Sequence, residues 1–227
     1  MRSCHTGAVS IPADPRADDV VWPQAQWPPP HELIGERVTL TQFVPADAPE
    51  LYAALDHDAC WEHVAGRPSS PEDCAAALTP APDAGRWPWI VRQAGRLGRA
   101  DGEPHGQAGR VVGTTSFLDV SLVDARLEIG YTAYSPSVWA TEVNPECKLL
   151  LMTWAFAHGF GRVQLKTDIR NRRSQAAIAG LGATYEGVLR RYQRRADGTV
   201  RDTVMSSVTA EEWPGVRARL MVRLDRV

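Results

Sequence analysis

Residues 127–168 decide the fold. They open with Leu127-Glu128-Ile129-Gly130-Tyr131-Thr132-Ala133-Tyr134 and pass through Ser135–Val143. Asn144-Pro145-Glu146-Cys147-Lys148-Leu149-Leu150-Leu151 then runs on to His158, before Val163-Gln164-Leu165-Lys166-Thr167-Asp168. The first stretch reads as a strand, and the last alternates with the period of two that a half-buried strand shows. Between them Cys147, Leu150, Leu151, Trp154, Ala155 and His158 recur at helical spacing and make one buried stripe. Asn144 is expected to cap that helix, with Pro145 at its first position, where a missing N–H costs nothing. Gly159 is placed to end it. Strand, helix and strand form a β-α-β unit, which calls for a parallel pair.

Outward from this unit the chain is mixed. Arg37–Phe43 alternates as a strand, and Asp47 is a fair cap for a helix through Glu50, Leu51, Ala54 and Leu55. A short helix follows Pro71, with Cys74, Ala77 and Leu78 on one face. Trp87–Val91 and Val111–Leu118 read as hairpin partners across a mobile loop, Gly95–Gly109. Beyond Asp168 the pattern predicts a helix over about 172–181, closed by Gly182. Strands around Tyr185–Tyr192 and Asp202–Val208 follow, joined by a turn at Asp197-Gly198. Residues 1–30 read as an extended segment, because Pro12, Pro15, Pro23 and Pro28-Pro29-Pro30 forbid regular structure. Trp22 and Trp27 are expected to pin it to a single domain covering 31–227.

The gross numbers narrow the function. A net charge of −2 across 227 residues argues against a surface built for nucleic acid or anionic membrane. No apolar run is long enough to span a bilayer, and Met1–Asp19 lacks a secretory h-region. Cys4, Cys60, Cys74 and Cys147 form no C-x-x-C pair, so reduced thiols in a cytoplasmic protein are the simple reading. His57 and His63 lack partners at ligand spacing, and no metal is expected. Only Lys148 and Lys166 are lysines, which by itself reads as compositional bias toward Arg.

A loop feeding a helix N-terminus offers unpaired N–H groups and the positive end of the helix dipole, a ready pyrophosphate site or simply a capped helix. Further blocks accompany it. They include Glu128-Ile129-Gly130-Tyr131, Asn144-Pro145-Glu146-x-Lys148-Leu149-Leu150-Leu151, Ala155-Phe156 and Arg162–Asp168. Asn171-x-x-Ser174-x-x-Ala177-Ile178, Leu181-Gly182-Ala183, Glu186–Arg190, Asp197-Gly198-Thr199-x-Arg201-Asp202-Thr203 and Glu212-Trp213 complete the set. In these blocks the chain resembles the GNAT superfamily of N-acetyltransferases, and within it the branch that acetylates the N-termini of ribosomal proteins.

That resemblance implies an α/β fold with a central mixed, mostly antiparallel sheet. Helices flank the sheet, and a V-shaped split opens between two parallel strands. It implies acetyl-CoA as co-substrate, held by Thr132, Ala133 and Tyr134 along the pantetheine arm. Trp139, Ala140, Thr141, Glu142, Val143 and Asn144 would meet the pyrophosphate, and Asn171 and Ser174 would add further contacts. The family's phosphate loop usually carries Gly where Glu142 stands, and a carboxylate there repels a pyrophosphate unless it points to solvent. Glu128 is the implied general base for an attacking amine. Ser174 is the implied proton donor to the departing thiolate, with Tyr192 as second candidate.

The implied activity is transfer of an acetyl group to a primary amine: a protein N-terminus, a lysine side chain or a small molecule. Monomer and homodimer are both compatible with it. The alternative is a catalytically silent acyl-CoA-binding or protein-interaction module of the same fold. An RNA role through the Arg-rich segment 190–201 lacks aromatic interleaving or a nucleic-acid module.

Overall fold

The parallel pair expected from residues 127–168 is present, and the rest of the molecule is arranged about it. The computed structural model describes residues 21–64, 66–79, 85–94, 109–195 and 197–225, so most of the Gly95–Gly109 loop lies outside the described residues. Eight strands form one sheet: β1 (Glu32–Ile34), β2 (Val38–Gln42), β3 (Trp87–Gln93), β4 (Arg110–Ser121), β5 (Arg126–Tyr134), β6 (Arg162–Asp168), β7 (Thr184–Arg194) and β8 (Val200–Thr209). Their order is β1-β2-β3-β4-β5-β6-β8-β7. Every adjacent pair is antiparallel except β5 and β6. The helices are α1 (Ala48–Leu55), α2 (Asp58–Trp61), α3 (Pro71–Leu78), α4 (Val143–Ala157), α5 (Arg172–Leu181) and α6 (Trp213–Asp225).

Helix α4 crosses between β5 and β6 and supplies the core. Cys147, Leu151, Met152, Trp154 and Ala155 are buried with Phe117 of β4, Leu127 and Ile129 of β5 and Val163 and Leu165 of β6. It begins two residues earlier than the capping argument places it. Glu142 is the N-cap and Val143 the first residue, so Asn144 and Pro145 sit second and third. Pro145 is still free of penalty, since first-turn N–H groups have no intrahelical partner. Glu146 of the same turn reaches back to the β1–β2 connection and accepts bonds from Glu36 N at 2.7 Å and Arg37 N at 3.0 Å. Gly35 makes room for this contact, because a Cβ there would lie 2.6 Å from the Glu146 Oε1 atom.

Three other expectations are corrected. Asp47 precedes α1 but makes no side-chain cap. Its carboxylate is turned to Val44 N at 2.9 Å and to the buried Arg92 guanidinium at 2.8 Å. An ion pair in a dry setting outcompetes a solvated cap. In α3, Cys74 and Leu78 are buried while Ala77 faces out. The chain after Glu212, assigned no element from sequence, is α6, with Trp213, Val216, Leu220 and Leu224 buried against the sheet and α4.

The described part of the lead-in packs onto the domain. Trp22 Nε1 donates to Gly159 O at 2.8 Å, and Gln26 N donates to His158 O at 2.8 Å. Trp27 meets Trp87, Phe117, Trp154 and Phe160 edge-on, with centroids 5.0–6.4 Å apart. Four edge-to-face contacts make this a joint of the aromatic core. Trp27→Ala is expected to lower unfolding stability by about 2–3 kcal/mol, short of a fully buried Trp deletion. Denaturant unfolding checks this, and an unmoved midpoint would detach the lead-in from the core.

Candidate active site

The sheet opens where β5 and β6 part. Their pairing covers Arg126–Arg162, Leu127–Val163 and Glu128–Gln164 and stops there, although β5 runs on to Tyr134 and β6 to Asp168. Beyond Glu128 the β5 edge facing β6 therefore carries unspent backbone donors and acceptors. A distortion in β5 accompanies the parting. Tyr131 has φ 46°, and the β4–β5 register shifts between Thr114 and Ser116. A bulge of this kind bends a strand and increases its twist.

A cavity of about 800 Å³ fills the split. It is lined by Glu128, Thr132, Ala133 and Tyr134 of β5, Trp139, Ala140 and Asn144 at the mouth of α4, and Asn171 and Ser174 of α5. Tyr192 of β7 lines it as well. Of the residues singled out from sequence, Thr141, Glu142 and Val143 are not among those lining the cavity. Thr141 Oγ1 instead donates to Val138 O at 2.7 Å, and Val143 is buried in the core.

Strand register sorts the lining by face. Alternation along β6 puts Gln164, Lys166 and Asp168 on one side and Val163, Leu165 and Thr167 on the other. Glu128 pairs with Gln164 and so shares its side, while Leu127 and Leu165 point into the core with α4. The cavity thus reaches both faces of the sheet through the split, with Glu128 above and the amino ends of α4 and α5 below.

On the upper face Glu128 is nearly buried, 7% exposed, and its carboxylate lies 2.6 Å from Lys166 Nζ. Burial pushes the Glu128 carboxyl above the usual range, and Lys166 pulls it only part of the way back. Gly130 leaves it space, since a Cβ there would come within 2.6 Å of Glu128 Oε1. Lys166 also donates to the Tyr192 hydroxyl at 3.2 Å. Asp168 is held by a two-point contact with Arg195, at 2.5 and 2.9 Å.

On the lower face Asn171 caps α5, its Oδ1 accepting from Ser174 N at 2.9 Å, which leaves the Ser174 hydroxyl for the cavity. Arg173 stacks over the Trp139 ring at 3.5 Å, and Arg170 lies nearby in the lining. Two guanidinium groups beside the first turns of two helices suit an anion. Cys147 is fully buried, its thiol pushed up to about 12 by burial, and behaves as a packed apolar side chain.

The residue that sequence reading missed is Lys148. Its side chain rises from α4 toward the split and donates to Thr132 Oγ1 at 3.1 Å and Thr115 Oγ1 at 3.3 Å, with no carboxylate in salt-bridge reach among the described residues. Burial lowers the amine from 10.5 to about 8. Both lysines of the chain, Lys148 and Lys166, line this cavity. Their choice in a chain that otherwise uses Arg was the available signal, since a lysine can shed its proton when buried and an arginine cannot.

An open strand edge, a helix mouth and flanking cations fit the arm and diphosphate of a coenzyme A thioester. The comparisons with known proteins agree. Residues 37–184 match the model of the acetyltransferase (GNAT) domain, and the chain belongs to that family, whose members use acetyl-CoA. A T. thermophilus protein solved as a candidate acetyltransferase is 35% identical, with a TM-score of 0.73 over 88% of this chain and 100% of its own. A Chromobacterium violaceum GNAT-family protein is 25% identical, with a TM-score of 0.77 over 90% and 100%. RimJ of Mycobacterium smegmatis, solved with CoA-disulfide, shares the fold at 21% identity, with a TM-score of 0.63 over 82% and 88%. No curated protein matches the chain.

Holding Lys148 charged and dry opposes folding. Its native value of about 8, against an ordinary 10.5, corresponds to a penalty on the order of 3 kcal/mol at neutral pH. Between those values the unfolded chain binds more protons than the native one, so stability rises with pH across that window. Lys148→Met is expected to be more stable than the parent at pH near 7, with the gap shrinking toward pH 10. Denaturant unfolding at both ends of the window checks this, and a variant less stable at each would contradict it.

Proposed function

We propose that this protein transfers the acetyl group of acetyl-CoA to a primary amine by direct attack in a ternary complex. The observation that supports this reading best is Glu128 at the point where β5 and β6 separate, opposite in face to the helix ends that suit the cofactor. Bound acetyl-CoA supplies an activated acyl carbon. Everything else falls to side chains and backbone already in place.

Thr132, Ala133 and Tyr134 present the free β5 edge to the pantetheine amides, and backbone N–H groups at the split orient the acyl oxygen. Asn144, Asn171, Arg170 and Arg173 hold the phosphates. The amine enters from the upper face and gives its proton to Glu128, directly or through one water, as the new C–N bond forms and the C–S bond breaks. Ser174 donates a proton to the departing sulfur from below, and Tyr192 is the second candidate for that role. The raised carboxyl of Glu128 makes it a better base near neutrality than an ordinary glutamate.

A silent acyl-CoA-binding module is the rival reading, favoured by the short Glu128–Lys166 contact that occupies the proposed base. Turnover separates the two. The base works only as carboxylate, so kcat/KM is expected to fall as pH drops through the Glu128 value. Glu128→Gln should lower kcat by about 10²–10⁴-fold and erase that acidic limb. A Glu128→Gln enzyme with the parent's pH profile would strip Glu128 of the role, and failure of acetyl-CoA to bind in calorimetry would remove the enzyme reading altogether.

A further inference from the structure

The upper face of the cavity holds one cation more than its acids can match. Glu128 is paired with Lys166 and Asp168 with Arg195. Arg201, on β8 beside them, lines the same cavity, and its side chain makes no hydrogen bond or ion pair among the described residues. Its Nε is buried without a partner. The other acids around the cluster are committed elsewhere. Asp119 binds Arg126 at 2.8 Å and Gln164 at 3.0 Å, and Asp197 takes both donors of Thr199. Asp202 accepts from Arg191 N at 2.7 Å, and Glu62 lies beside His63.

Arg201 also stands where an acceptor would be. Thr203 of β8 pairs with Asp168, so alternation places Arg201 on the face that carries Asp168, Lys166 and Glu128. The arginine suited to the cofactor, Arg173, is in the first turn of α5 and stacks over Trp139 just before α4. Burial pushes the Arg201 guanidinium below its ordinary value, and the charges of Asp168 and Glu128 act against that shift. A half-buried guanidinium fork left unsatisfied is poised for a group that can accept two parallel bonds.

We infer that the acceptor is an amine bearing a carboxylate, which Arg201 binds while the amino group faces Glu128. The inference rests on the acetyl-transfer reading and specifies its substrate class. Within it, Arg201 offers its fork to both oxygens of one carboxylate, in surroundings too dry for water to compete well. A neutral analogue leaves that fork unpaired, and an unpaired buried donor is what makes such sites selective.

The test is calorimetric titration of matched pairs into protein saturated with CoA, which cannot react. Free amino acids are set against their carboxamides, and dipeptides beginning with Asp or Glu against those beginning with Asn or Gln. At least one acid is expected to bind about 10- to 100-fold tighter than its amide, the range of a charge-assisted bond. Arg201→Gln should bring that ratio close to one, and Arg201→Lys should restore part of it. Thermal melting confirms that each variant is folded. Acids that bind no better than their amides, or a preference that survives in Arg201→Gln, would overturn the inference and leave acetyl transfer standing. Absence of CoA binding by the parent protein would instead strike at acetyl transfer itself.

Discussion

A strand that loses its neighbour must satisfy its backbone in another way, and the end of pairing at Glu128 and Gln164 imposes that demand on β5. The strand continues past that position to Tyr134, with β4 on one side and the cavity on the other. The bulge at Tyr131 and the crossing of α4 beneath the sheet hold the two strands apart. The gap follows from backbone geometry. It provides what an extended, amide-bearing ligand requires, a free edge to pair with and a helix mouth beyond it.

The same gap explains the distribution of charge. A closed sheet would bury Lys148, Glu128 and Lys166 without access to solvent or ligand, and unpaired charge in such a place is heavily penalised. Here each faces a cavity. Lys148 rests on two threonine hydroxyls below the split, and Glu128 is matched to Lys166 above it. Groups held away from their ordinary proton affinities at a cleft mark a place where protons move. In the proposed transfer, an amine would lose its proton on one face of the sheet and a thiolate gain one on the other.

Much of this was legible in the residues, for reasons that can be named. The β-α-β unit stood out because β6 alternates cleanly and α4 carries a continuous apolar stripe. The start of α4 was displaced by two residues, since Asn144-Pro145 makes a good local cap and the competing start at Val143 depends on burying that valine. Helix α6 was readable in the spacing of Trp213, Val216, Leu220 and Leu224, but Pro214 and Gly215 at its start obscured it. Lys148 and Arg201 were hidden for a different reason. A charged residue in a pattern reads as solvent-facing, and only a cavity reaching through the sheet makes burial of these two tolerable. Family likeness pointed to Glu128 and Ser174, and the structure adds the pairings that decide what each is free to do.

Hydrogen exchange of the β5 backbone amides, with and without coenzyme A, tests the open edge most directly. If that edge receives the pantetheine arm, the amides of residues 132–134 should exchange more slowly in the complex, while those of 126–128, already laddered to β6, change little. Exchange at 132–134 that is unaltered under saturating coenzyme A would contradict the account.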